Sequence, residues 1–250
     1  MYTLVSTDPA FGGDEIIVDS NSNYYYRYND SITKRTEAGD LIFGIGVSPE
    51  QVITFAVDAL QNIYITTALG AYIFSIRKYS PTGVSIYTYS GFDEPPWITT
   101  DVSLNVYAYS YLNATTTRIK KYNSTGSLLA TLDILLGPLS DGAIAIDSTE
   151  HIYAIDSNDG STVKKYSPSG VFQNYVALPV SANLSIDSAD NFYIVTSHNI
   201  IKKYSSSFVE LATITAPCPF VKDMNVSWDG RYIVITRSGL PRTKYIYRFM

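Results

Sequence analysis

Hydrophobic and polar residues alternate along this chain in short runs, and similar runs keep returning. NIYITT from Asn62 and NFYIVT from Asn191 are built from β-branched and aromatic residues with a repeat of two, the period of a pleated strand. Asn, Asp, Ser and Gly separate such runs at short intervals, and no stretch sustains the apolar spacing of a helix. The pattern predicts an all-β chain of many short antiparallel strands joined by tight turns.

Five segments share Asp, three spacers, Asn or His, one further residue and Tyr. They are Asp19, Asn23 and Tyr25; Asp58, Asn62 and Tyr64; Asp101, Asn105 and Tyr107; Asp147, His151 and Tyr153; and Asp187, Asn191 and Tyr193. A sixth, NVSWDGRYIVIT from Asn225, keeps Tyr232, lacks the Asp and shortens the turn to Trp228-Asp229-Gly230. A second signature follows: IRKYSPTG at 76–83, IKKYNSTG at 119–126, VKKYSPSG at 163–170 and IKKYSSSF at 201–208, with weaker forms ITKRTEAG at 32–39 and IYRF at 246–249. The Asp positions recur every 39 to 46 residues, the length of a four-stranded propeller blade. Six units fill the chain and predict a six-bladed β-propeller with four antiparallel strands per blade.

In each unit strand a ends in the Asp, strand b carries the Tyr, strand c carries the lysines, and strand d follows the turn Gly. The last unit, about 222–250, supplies only a, b and c, and the alternating segment 2–7 (YTLVST) is expected to become its strand d. That pairing closes the ring, removes its free edges and makes residues 1–250 one domain.

The blade pattern resembles the NHL-repeat type of six-bladed propeller, whose blades read as three apolar residues and Asp, a turn, an Asn-apolar-Tyr-apolar strand, then an apolar-basic-polar-aromatic strand. The resemblance covers essentially all 250 residues, departing in the last unit and in the first, where Arg35 replaces the strand c tyrosine. It implies that ligands meet the loop face and the channel mouth.

Strand direction puts both recurring turns, a to b and c to d, on one face of the disc. Asp19, Asp58, Asp101, Asp147 and Asp187, with Asn62, Asn105 and Asn191, are read as structural turn residues that bond nearby amides. His151 stands at the repeated Asn position and is read the same way. The tyrosines are expected to pack between blades with hydroxyls at the rim, and the strand c lysines to keep their amines in water. Function is therefore sought in the other face, whose loops differ between blades: FGGDE (11–15), GFDEPPW (91–97), GPLSDG (137–142), LPVSAN (178–183) and TAPCPF (215–220), with SYLNATT, DSNDGS, TSHN and RSGLPR between strands b and c. Phe92, Trp97 and Phe220 with acidic Asp93, Glu94 and Asp141, and His198 nearby, are the candidate ligand- or partner-binding residues.

A net charge of −5 offers no broad attraction for a phosphate backbone, so no nucleic acid is expected. No apolar run is long enough to insert in a membrane, and no secretory signal precedes YTLVSTD. Cys218 is alone, excluding an intramolecular disulfide and a cysteine-based zinc site, and two histidines cannot supply the His ligands of the NHL-like lyases. Nucleophile-elbow and phosphate-loop motifs are missing. Calcium is the one cofactor left open, with Asp14, Glu15, Asp93, Glu94 and Asp141 as its candidate ligands.

Only 16% of residues are charged, and Asn-x-Ser/Thr triplets stand at Asn29, Asn113, Asn123, Asn183 and Asn225, which suits an extracellular or virion-associated setting. The expected function is a non-enzymatic interaction scaffold, a structural or accessory component of a larger assembly such as a virus or phage particle, docking on protein partners through its blade loops. The alternatives are a lectin-like carbohydrate binder of surface glycans and a calcium-dependent hydrolase or lyase.

Overall fold

Runs rich in β-branched and aromatic residues fill a pleated, half-buried surface well, and the turn residues between them supply local bonds at each reversal. The computed structural model describes the chain except residues 1, 9–12, 14, 72, 137–143, 157–161, 179–181, 198, 217, 219, 238–242 and 250. Strand β1 (Tyr2–Asp8) comes first. Blade one holds β2 (Ile16–Val18), β3 (Tyr24–Tyr28), β4 (Ser31–Arg35) and β5 (Leu41–Gly46). Blade two holds β6 (Gln51–Val57), β7 (Ile63–Leu69), β8 (Ile73–Tyr79) and β9 (Ser85–Phe92). Blade three holds β10 (Trp97–Thr100), β11 (Val106–Asn113), β12 (Thr116–Tyr122) and β13 (Leu128–Leu135). Blade four holds β14 (Ile144–Ile146), β15 (Ile152–Asp156), β16 (Thr162–Tyr166) and β17 (Phe172–Ala177). Blade five holds β18 (Ala182–Ile186), β19 (Phe192–Ser197), β20 (Ile200–Tyr204) and β21 (Glu210–Thr215), and blade six β22 (Val221–Val226), β23 (Tyr232–Arg237) and β24 (Lys244–Phe249).

Each sheet is four-stranded and antiparallel, and the sixth has the order β1, β24, β23, β22. The N-terminal strand therefore completes the last blade, as expected, running from Tyr2 opposite Phe249 to Asp8 opposite Lys244. The Tyr2 hydroxyl donates to the Gly230 carbonyl at 2.7 Å and meets the Tyr193 hydroxyl at 3.0 Å, so β1 also joins blade six to blade five.

The core is a set of wedges between neighbouring blades rather than one centre. The first apolar residue of the strand c signature is fully buried in every blade: Ile32, Ile76, Ile119, Val163, Ile201 and Ile246 are each 0% exposed. At the closing seam, Ile16, Val18 and Tyr24 of blade one pack on Tyr232, Val234 and Ile246 of blade six.

Deleting residues 2–8 strips the pairing edge from β24 and bares apolar surface, so the melting temperature should fall by roughly 10 °C or more. Thermal unfolding followed by circular dichroism checks this, and an unchanged midpoint would contradict closure by β1.

Candidate functional site

The repeated Asp is the centre of a latch. Asp58 Oδ1 accepts the backbone N–H groups of Leu60 and Asn62 at 2.9 and 2.8 Å, while its Oδ2 accepts the Asn62 side-chain amide at 2.8 Å and the Tyr64 hydroxyl at 3.0 Å. Asp101 and Asp187 repeat the arrangement with Asn105 and Tyr107, and with Asn191 and Tyr193. Asp19 and Asp147 take the Tyr25 and Tyr153 hydroxyls at 3.4 and 3.3 Å. His151 acts in the Asn place, its N–H donating to Asp147 Oδ1 at 2.8 Å. The residue before that place sits at positive φ in all five turns: Ser22, Gln61, Leu104, Glu150 and Asp190. Left-handed backbone is costly for such residues, and the Asp bonds on either side hold it. In blade six Ser227 stands where the Asp would, and Gly230 (φ 70°) takes the strained position without a Cβ penalty.

Two expectations about this face need correction. The tyrosine hydroxyls do not reach the rim; they are drawn inward to the carboxylate of their own blade, and Tyr25, Tyr64, Tyr153 and Tyr193 are 0% exposed. Nor do all strand c amines stay wet. The second lysine lies opposite the tyrosine on the neighbouring strand and over its ring, Lys34 at 4.7 Å from the Tyr25 centroid, Lys78 at 5.3 Å from Tyr64, Lys203 at 4.9 Å from Tyr193. Lys34 and Lys78 are only 5% and 7% exposed. Cation–π attraction and the carboxylate beneath replace the lost water.

The same face is stitched around the ring. Lys34 donates to Gln61, Lys78 to the Ser124 carbonyl, Lys121 pairs with Glu150, Ser148 bonds Asp190, Ser188 donates to the Trp228 carbonyl, and Arg231 donates to the Ser20 carbonyl. Each contact joins one blade to the next, with Arg231 closing blade six on blade one.

The inner strands surround a central channel of about 340 Å³. Their inner edges carry backbone groups without a strand neighbour, which neighbouring blades satisfy with side chains. Asp223 accepts the Ile16 N–H at 2.8 Å and Asn225 the Val18 N–H at 3.2 Å. Ser185 accepts the Val226 N–H at 3.0 Å, and Asn183 donates to Asp223. Glu15 takes the Thr54 hydroxyl and the Phe55 N–H, while Arg27 donates to the Val52 and Ile53 carbonyls at 3.3 and 2.6 Å. Asp223, Asn225, Ser185, Glu15 and Arg27 thus work as edge caps.

A second cavity of about 260 Å³ opens on the loop side between blades two and three. It is lined by Phe92 at the end of β9, by Asp93, Glu94 and Pro96 of the loop that follows, by Ala108, Ser110 and Leu112 of β11, and by Arg118 and Lys120 of β12. Strand alternation aims Ala108, Ser110 and Leu112 at the same side. Asp93 and Glu94 are exposed on its lip, and Phe92, 8% exposed, lies beneath the Lys120 ammonium at 5.7 Å. Arg118 is held by both oxygens of Asp133 at 2.8 Å.

The structure brings together only part of the candidate set. Phe92, Asp93 and Glu94 share this groove. Trp97 does not line it: it stacks on Tyr109 and meets Tyr111 edgewise, on the side of blade three that packs toward blade four. Phe220, 49% exposed, lies at the start of blade six, away from the groove. Asp141 and His198 fall outside the described residues. Of the candidate calcium ligands, Glu15 is in the channel, Asp93 and Glu94 are in the groove, and Asp14 and Asp141 lie outside the described residues. Among the described residues no three His, Cys, Asp or Glu side chains gather as a metal site. Ser110, Arg118 and Lys120 were not singled out from the sequence, and a neutral residue at the Ser110 place, which blade two shares in Thr67, gave no signal.

Asp58→Ala leaves a buried hydroxyl, an amide and two backbone donors without their acceptor, so urea denaturation should show a loss on the order of 3 kcal/mol. Burial first, then the neighbouring carboxylate, pushes the latch phenols Tyr25, Tyr64, Tyr107, Tyr153 and Tyr193 well above their ordinary value of 10, although in Tyr193 the contact with Tyr2 ranks second. A folded-state pKa above the unfolded one means full stability below pH 10 and progressive loss above it, because the unfolded chain releases these protons first. Alkaline titration should therefore show phenolate absorbance of the latch tyrosines rising together with loss of strand circular dichroism, and ionisation of all tyrosines in a still-folded protein would contradict this.

No family model matches the chain, and no curated protein does. Among solved structures it is similar to the crystal structure of a protein of unknown function from Bacteroides caccae, with a TM-score of 0.63 and 10% identity over 89% of this chain and 82% of that one. At that identity the likeness carries the fold alone, and the fold is a six-bladed β-propeller.

Proposed function

We propose that this propeller is a non-enzymatic binding scaffold of the NHL-repeat type. It engages its partner through the loop face, with the groove between blades two and three as the docking point, and works as a structural or accessory part of a larger assembly. The observation that carries this reading is the division of labour among polar side chains. The recurring Asp, Tyr and second lysine are engaged in the latches, and the channel residues cap strand edges. In the groove, Asp93, Glu94 and Lys120 hold neither a turn nor a strand edge among the described residues. Pockets with a few convergent polar groups beside apolar walls are where ligands bind. The NHL-type kinship is supported by the Asp, Asn, Tyr and basic pattern of the blades.

Surface glycans are the second reading, favoured by the exposed acceptors Asp93 and Glu94 and the donor Lys120 standing beside the half-exposed Leu112 in one groove. Sedimentation of native source material should carry the protein with particles far larger than one chain, and Ser110→Trp, which fills the groove, should release it without lowering the melting temperature. A single-chain peak throughout would overturn the assembly role, and retention of the variant would overturn the groove.

A further inference from the structure

Four blades carry a cation at the first basic position of the strand c signature: Arg77, Lys120, Lys164 and Lys202. Three are neutralised by a carboxylate. Arg77 is held by Glu50, Lys164 by Asp156 at 2.6 Å, and Lys202 by Glu210 at 2.7 Å. Lys120 is the exception. Among the described residues no carboxylate stands within ion-pair distance of its ammonium, which rests over the Phe92 ring.

The register shows what has changed. In blade four Ala154 faces Lys164 and Asp156 faces Thr162, so Asp156 reaches its lysine along the diagonal of the strand pair. In blade three Ala108 faces Lys120 and Ser110 faces Arg118, which puts Ser110 in the place of Asp156. A short neutral side chain stands where blade four has its carboxylate, as Thr67 does in blade two, whose Arg77 is paired by Glu50 instead. Both Ser110 and Lys120 line the 260 Å³ groove, so the space beside the ammonium is open to solvent. The neighbouring guanidinium cannot compensate, being a like charge, and it is already engaged by Asp133.

Resting on the groove as binding site, we infer that it recognises an acidic sugar, whose carboxylate takes the place beside Lys120 that Asp156 fills beside Lys164. A partly desolvated ammonium without a counter-ion is a preformed half of an ion pair, and a carboxylate completes it with a charge-assisted hydrogen bond. The rest of the groove selects the frame that carries the carboxylate. Asp93 and Glu94 on the lip accept hydrogen bonds, which ring hydroxyls donate. Leu112, 45% exposed, offers apolar surface to the C–H face of a sugar. An acidic peptide side chain brings the carboxylate without those hydroxyls on a rigid ring.

Binding of oligogalacturonate, followed by calorimetry and by NMR shifts of groove amides, tests this against neutral galactose oligomers and a glutamate-containing peptide. Oligogalacturonate should bind, Lys120→Met should weaken it about tenfold or more, and Ser110→Asp, which rebuilds the pair of blade four, should do the same with an unchanged or raised melting temperature. Equal binding of the neutral oligomers, or an unaffected Lys120→Met, would overturn the carboxylate; binding of the peptide alone would overturn the sugar; no shift in any groove amide with any probe would overturn the inference as a whole. Release of the particle-bound protein by Ser110→Trp is read independently, so the docking reading stands or falls on its own result.

Discussion

A buried carboxylate at the end of the inner strand in blades one to five is the constraint on which the other features of this propeller depend. The Asp of these turns binds the turn amides, the Tyr hydroxyl of its own blade and the Asn side chain, with His151 in the Asn place in blade four, and it lies 2–6% exposed in all five copies. A charge removed from water must be compensated on the spot. The local amides and the phenol do so, while the lysine over the tyrosine ring adds positive charge where the strand pairing delivers it. One residue therefore sets the turn conformation, the depth of the tyrosine and the position of the lysine.

Ring closure follows from the same face. Because the latches hold the turns in fixed positions, the lysines and turn carbonyls of successive blades meet, and a complete circuit of contacts results. The inner strand edges are covered differently, by unlike side chains such as Asp223, Ser185 and Glu15. The last outer strand comes from the opposite end of the chain, so the two termini are tied together. Propellers protect their edges by closure, and here closure is distributed over both the rim and the channel.

The groove arises from a departure within the repeat. Strand alternation and register place the same positions on the same side of every blade, so a change at one position has a definite spatial meaning. Among the described residues, blade three leaves Lys120 without the carboxylate that Arg77, Lys164 and Lys202 find in Glu50, Asp156 and Glu210, while the rest of the blade keeps its latch at Asp101 and its buried Ile119. A repeat fold can alter one blade in this way because each blade packs only against its neighbours.

The fold was legible in the residues. Period-two alternation identifies strands, the recurring Asp and Tyr count the blades, and a last unit lacking its outer strand calls for residues 2–7, because each of these signals is local or strictly periodic. The turn roles of Asp58, Asp101 and Asp187 were legible for the same reason. The destination of the tyrosine hydroxyls and of Lys34 and Lys78 was not, since the period of a strand tells which side a residue faces and not how deep its polar tip lies. Phe92, Asp93 and Glu94, whose loop breaks the repeat, share one groove, but Trp97 does not line it. Closeness along the chain does not tell that the two ends of one loop enter opposite sides of a blade. The groove itself depends on Ser110 and Lys120, which belong to different strands and meet only through cross-strand register. Sequence by itself determined the number, order and closure of the blades; the tertiary structure alone decided which charges find partners, because pairing is a property of distances between strands that the chain order does not contain.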